Sequence, residues 1–218
     1  MARGRSATYE QQREEILARA AELFASQGYP GTSMNQVAAA CGVTKPALYH
    51  YFEDKDALLS AIGQAHVDHL EAIVAQVQAL QLDPPAHLRE LIVRFVRDYA
   101  HSQHEHRVLT EDVKFLPEQE RERVLGGERR VVAAFADAIA AVRPELEREQ
   151  LHKPLTMLLF GMMNWLFTWL KPDGALTHEA MGDVVADLFF GGLPAVMPPR
   201  QAVAPKSRKT LKAPAATR

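Results

Sequence analysis

Apolar residues recur at three- and four-residue intervals through most of the chain, and no stretch alternates β-branched with polar positions. That pattern predicts an all-α protein. Thr8 and Gln11 have the spacing of a capping box, and Ile16, Ala20, Leu23 and Phe24 then share one helical face until Gly28, so a first helix is expected over about 9–27. Ser33 and Gln36 repeat the cap ahead of Met34, Val37 and Ala38, and Gly42 ends that short helix. Thr44 caps another at once, with Pro46 in a first turn where a missing amide hydrogen costs little, and this helix ends near Phe52. A longer helix runs from Asp54 to about Leu80, where Asp83, Pro84 and Pro85 break it. Further helices are expected over 86–103, 105–115, 118–142 with a weak point at Gly126 and Gly127, 147–170 and 178–191.

At 218 residues the chain is near the upper size for one core, which favours two domains. The division expected is a three-helix unit over 1–53, a larger helical body over 54–197 and a tail over 198–218 that reads as a disordered extension. The tail holds six basic residues (Arg200, Lys206, Arg208, Lys209, Lys212, Arg218) and no acid, so the net charge of −2 says little about a polyanion partner. One cysteine, Cys41, excludes an internal disulfide and a cysteine-rich zinc site, and residues 1–20 contain no apolar leader segment. A cytoplasmic location is therefore expected. Residues 155–170 are the most apolar segment, but 16 residues at about 1.5 Å each span only about 24 Å, and Thr156, Asn164 and Thr168 interrupt them. A helix buried on several sides, with no membrane partner, is the reading.

Two short helices joined by a three-residue turn match the geometry that lays a second helix in the DNA major groove, although such turns also occur in helical proteins that never touch DNA. The residues sharpen the choice. The run TSMNQVAAACGVTKPALYHYFEDKDALL, from Thr32 to Leu59, resembles the DNA-binding region of the TetR (tetracycline repressor) family of bacterial transcription regulators. The resemblance rests on Ala38, Gly42 and Val43, on LYHYF from Leu48 to Phe52, and on Lys55 and Leu58, and it covers about 50 residues. It implies a helix-turn-helix head followed by a ligand-binding and dimerisation body.

The resemblance also implies roles that the side chains support. Lys45 can donate to guanine or to phosphate, and Thr44, Pro46 and Ala47 share that end of the recognition helix, with Pro46 and Ala47 able to meet a thymine methyl. Tyr49 and Tyr51 offer hydroxyls to phosphate, His50 reaches a base edge or phosphate, and Lys55 stands where the family binds phosphate. Ser33 and Asn35 would anchor the opposite strand, and Arg3 and Arg5 form an arm suited to a groove. Plain readings stand beside these: Tyr51 as packing, Ser33 as a cap only, Arg3 and Arg5 as solvated, and Leu48, Phe52, Phe24 and Val37 as core.

In the body, the helices over 147–170 and 178–191 are expected to build a four-helix bundle across a two-fold axis, giving a homodimer on double-stranded DNA. Phe95, Tyr99, Phe115, Phe135, Met157, Met162, Trp165 and Trp169 either line a cavity for a small-molecule inducer or form ordinary core. Asn164, Trp165, Thr168, Trp169 and the later Gly191 to Leu193 are similar to a subset of the family that answers to acyl-CoA thioesters, which would suit Arg89, Arg94, Arg97 and Arg107 to CoA phosphates if they are not merely solvated. The pairs His66 with His69 and His101 with His104 lack a third metal ligand, no cofactor is implied, and no catalytic motif is present. The expected function is a ligand-responsive repressor, its inducer an acyl-CoA thioester or fatty acid. The rivals are a repressor of an efflux gene that senses a xenobiotic, and a helical lipid or acyl-CoA carrier that does not bind DNA.

Overall fold

The computed structural model describes residues 7–148, 150–170 and 176–197, so Arg3, Arg5 and the basic tail lie outside the described residues. The described residues hold helices and no strand. They run α1 (Ala7–Gln27), α2 (Met34–Ala40), α3 (Lys45–Tyr51), α4 (Lys55–Ala79), α5 (Pro84–Tyr99), α6 (Gln103–Glu111), α7 (Glu118–Val142), α8 (Glu145–Arg148), α9 (His152–Trp169) and α10 (His178–Gly192), with single 3-10 turns at Val113–Phe115 and Leu193–Ala195. No helix among the described residues is long and apolar enough to cross a membrane.

Two apolar clusters hold these helices. The first joins Ile16, Phe24, Val37, Leu48 and Phe52 of the three-helix head to Leu58, Leu59, Ile62 and Val67 of α4, and takes in Val108, Leu109, Val113 and Val124 from α6, the turn after it and α7. The core of the head therefore reaches well past residue 53, because the first half of α4 supplies one of its walls. The second cluster centres on Phe95, which meets Phe135 edge-on at 4.8 Å, while Phe135 packs against Phe160 at 4.9 Å.

Gly126 and Gly127 do not weaken α7, which is continuous through them. A methyl group on Gly127 would fall 2.2 Å from Val67 Cγ1, so the missing side chain is what lets α4 and α7 approach so closely. The helix expected from 147 instead begins at His152, because Gln150 takes a positive φ of 56° that ends the short α8.

Candidate nucleic-acid interface

Local chemistry sets each edge of the helix-turn-helix. The Gln36 amide donates to Ser33 Oγ at 3.3 Å, and the Ser33 amide donates to Gln36 Oε1 at 2.8 Å, a complete capping box at the start of α2. The turn needs Gly42, whose φ of +63° is a left-handed conformation, and the Val43 amide closes it by donating to the Ala38 carbonyl at 3.0 Å. Thr44 then caps α3 by accepting from the Ala47 amide at 3.3 Å. Leu48 is fully buried beneath α3, and burying a leucine contributes about 1.5–3 kcal/mol. It holds the helix by its inner face and leaves Lys45, Pro46, Tyr49 and His50 exposed on the outer one.

A groove of about 440 Å³ lies between the 30–35 segment and α3, and Ser33, Asn35, Lys45, Tyr49 and Lys55 all line it. Five of the residues singled out from the sequence are thus brought to one concave surface. The Lys45 ammonium lies 5.8 Å from the centre of the Tyr49 ring, which aligns two hydrogen-bond donors along the groove. Thr44 and Ala47 join them on the same end of α3, though the Thr44 hydroxyl is occupied by its cap.

Two assignments change. Lys55 has a structural role the sequence did not suggest: two of its three Nζ protons go to the carbonyls of Tyr29 at 2.9 Å and Thr32 at 3.0 Å, so it clamps the loop before α2 onto α4. Tyr51 stacks on Tyr9 of α1 at 4.7 Å and is half-buried, so its ring is packing first. Tyr29 completes the clamp by donating its hydroxyl to Asp56, and burial together with that carboxylate raises its pKa.

The eight residues expected around an inducer do not surround one cavity. Phe95, Tyr99 and Phe135 are buried against other side chains, and the Tyr99 hydroxyl donates to Asn164 Oδ1 at 2.9 Å. Phe115 is 43% exposed and stacks on Tyr29 beside the head. Trp165 and Trp169 point outward, 66% and 50% exposed, because α9 is apolar on nearly all sides and only one side meets the core. With Met157, Leu158, Met162, Val184 and Leu188 they form an apolar face across α9 and α10. The arginines proposed for CoA phosphates pair within the chain: Arg89 with Asp183 and Asp187, Arg94 with Glu90, Arg97 with Glu179 and Arg107 with Glu111. A groove of about 590 Å³ that sequence reasoning missed lies between α7 and α9, lined by Leu125, Val132, Ala133, Ala136 and Met157 with Glu128, Arg129 and Lys153 among them. Residues on two helices far apart in the chain leave no local signal of such a groove.

Comparison with known proteins decides the family. Residues 16–62 match the family described as bacterial regulatory proteins, tetR family, and residues 81–193 match the tetracyclin repressor-like C-terminal domain. The chain belongs to the TetR family. A solved TetR-family transcriptional regulator from Bordetella parapertussis 12822 is 35% identical, with a TM-score of 0.81 over 87% of this chain and 99% of that one. The transcriptional activator FasR of Mycolicibacterium smegmatis is 26% identical over 88% of this chain and 87% of its own length. AibR, solved with isovaleryl coenzyme A and operator DNA, is 27% identical, with a TM-score of 0.71 over 81% of this chain and 97% of that one. As a TetR-family transcription regulator, the chain has a DNA-binding head, and the carrier reading loses its support.

Proposed function

We propose that this TetR-family regulator is a homodimeric repressor that binds a near-palindromic operator and is released by an acyl-CoA thioester or fatty acid. The observation that carries the DNA part is the groove joining Ser33, Asn35, Lys45 and Tyr49, on a helix whose opposite side is locked down by Leu48. Lys45, Pro46, Ala47 and His50 read bases, while Tyr49, Ser33 and Asn35 hold phosphates. A second copy covers the outward face of α9 and α10, which sets two heads about 34 Å apart, one helical turn of DNA. Trp165 and Leu188, each 66% exposed, are what a partner would bury there.

The groove between α7 and α9 supports the thioester assignment. Its apolar floor suits an acyl chain and Lys153 suits the anionic end, while Arg129 on the same rim already pairs with Glu122 at 3.0 Å. The likeness to AibR, solved with an acyl thioester, points the same way. Release follows if the ligand binds more tightly to a dimer whose heads no longer match adjacent groove faces.

Fluorescence anisotropy with the DNA flanking the regulator's own gene tests both parts. Selective binding that short- and medium-chain acyl-CoAs reverse, and cationic dyes do not, is the expected result. Release by the dyes alone would transfer the assignment to an efflux regulator, and no preference over scrambled DNA would end the operator reading.

A further inference from the structure

A second crevice, of about 410 Å³, opens where the head meets the body. Leu17 and Ala18 of α1 form one wall, Ile62 and Ala65 of α4 the other, and both walls are apolar. The polar groups that line it are unusual in kind. Glu14, Asp98 and Glu105 contribute three carboxylates, His66, His69 and His101 contribute three imidazoles, and no lysine or arginine is among the lining residues. Among the described residues no group of histidines, cysteines and carboxylates is arranged to hold a metal ion.

Two of these groups are already occupied. Asp98 accepts from Ser102 Oγ at 2.8 Å and meets His69 Nε2 at 2.6 Å, which fixes its carboxylate at the crevice edge. His66 differs. It is 3% exposed, and its Nε2 is buried without a hydrogen-bond partner. A buried imidazole nitrogen left unmatched costs about 1–3 kcal/mol, so native structures rarely leave one without a reason. Burial lowers the His66 pKa to about 4, so the ring is neutral at pH 7 and has one nitrogen able to accept.

An apolar slot, a neutral imidazole buried at its floor and a rim of carboxylates with no lysine or arginine select one chemistry. We propose that this crevice binds a small organic ammonium ion carried on an aromatic or alicyclic frame, with the ammonium group beside His66 and the carboxylates and the frame between Leu17 and Ile62. An anionic ligand would meet three carboxylates and no lysine or arginine there. The site is separate from the groove between α7 and α9, so the regulator carries two ligand sites of opposite preference. The walls belong to α1 on one side and to α4 and the α5–α6 turn on the other, so an occupant bridges head and body.

Titration calorimetry of the full chain with three probes of one frame tests this: 4-phenylbutylamine, 4-phenylbutanol and 4-phenylbutyrate. The amine is expected to bind once per chain, and the alcohol and the carboxylate at least about tenfold more weakly. Ala18→Trp fills the slot from an exposed position, and Glu105→Gln removes one rim charge. Each is expected to weaken the amine by about tenfold or more while the circular dichroism spectrum is unchanged. Equal binding of amine and carboxylate, no binding of the amine at about 5 mM, or undiminished binding by Ala18→Trp would each overturn the assignment.

Discussion

The Lys55 ammonium lies 4.2 Å from the centre of the Tyr29 ring while donating to the Tyr29 carbonyl at 2.9 Å. One side chain thus holds both the ring and the backbone of a residue near the start of the α1–α2 connection. Lys55→Met is expected to lower the stability of the fold by about 1–3 kcal/mol, the range for a charge-assisted hydrogen bond with an adjoining cation–π contact. Urea denaturation measures it. A Lys55→Met protein as stable as the parent, but weakened for all DNA alike, would return the residue to phosphate binding.

Lys45 and Tyr49 line the same groove but differ in what they would read. Lys45→Ala should cost about 1–3 kcal/mol on the operator and narrow the gap between operator and scrambled DNA, as loss of a base contact does. Tyr49→Phe should cost about 1 kcal/mol on both, as loss of one phosphate contact does. Anisotropy titrations on the two DNAs at fixed salt separate the cases, and an equal loss for Lys45→Ala would reassign it to the backbone.

The outward tryptophans offer a direct check on assembly. Trp165→Glu, together with Leu188→Glu on α10, places charge in the centre of the apolar face and should cost at least about 2 kcal/mol per protomer in association. Sedimentation velocity at about micromolar concentration should then show monomers, with operator binding lost because one head alone contacts a half-site. Persistence of a dimer would place its interface elsewhere.

Acid should destabilise the fold through two histidines. Burial lowers the pKa of His66 to about 4 and of His106 to about 3, from an ordinary 6.5. The unfolded chain therefore takes up protons that the native chain refuses. Their contribution is complete above about pH 6.5 and is lost as pH falls toward 4, by up to about 1.4 kcal/mol per pH unit for each ring. Asp112 and Glu128, whose pKa values burial raises, act in the opposite sense, so the informative quantity is a difference. His66→Leu should show a shallower fall in urea midpoint between about pH 7 and 5 than the parent. Parallel curves would mean that the ring is not kept neutral.

What could be read from the sequence was local. The Ser33–Gln36 cap, the left-handed Gly42 and the cap at Thr44 are present because each depends only on residues within a few positions. The inward placing of Leu48 followed from helical period, and the groove residues were named from their likeness to a family. What was not legible depends on partners far along the chain. Lys55 finds its acceptors 26 and 23 residues upstream, and Tyr51 finds Tyr9, so neither role leaves a trace in the neighbouring residues. Trp165 and Trp169 sit on a helix with little polar contrast, where period alone does not separate the face that meets the core from the face that meets the outside. Gly127 looked like a weak point because its value lies in the room it gives Val67, a residue of another helix.

The shared apolar cluster beneath the head has a practical side. A fragment ending at residue 53 would leave Leu48 and Phe52 without Leu58, Leu59 and Ile62, and those in turn without Val108 and Val113. Grafting this DNA specificity onto a different sensor, or this sensor onto a different DNA specificity, therefore requires a splice within α4 beyond Val67, with α6 and the turn after it transplanted alongside. Chimaeras cut at the obvious seam between α3 and α4 are expected to lose stability for reasons unrelated to either ligand or operator.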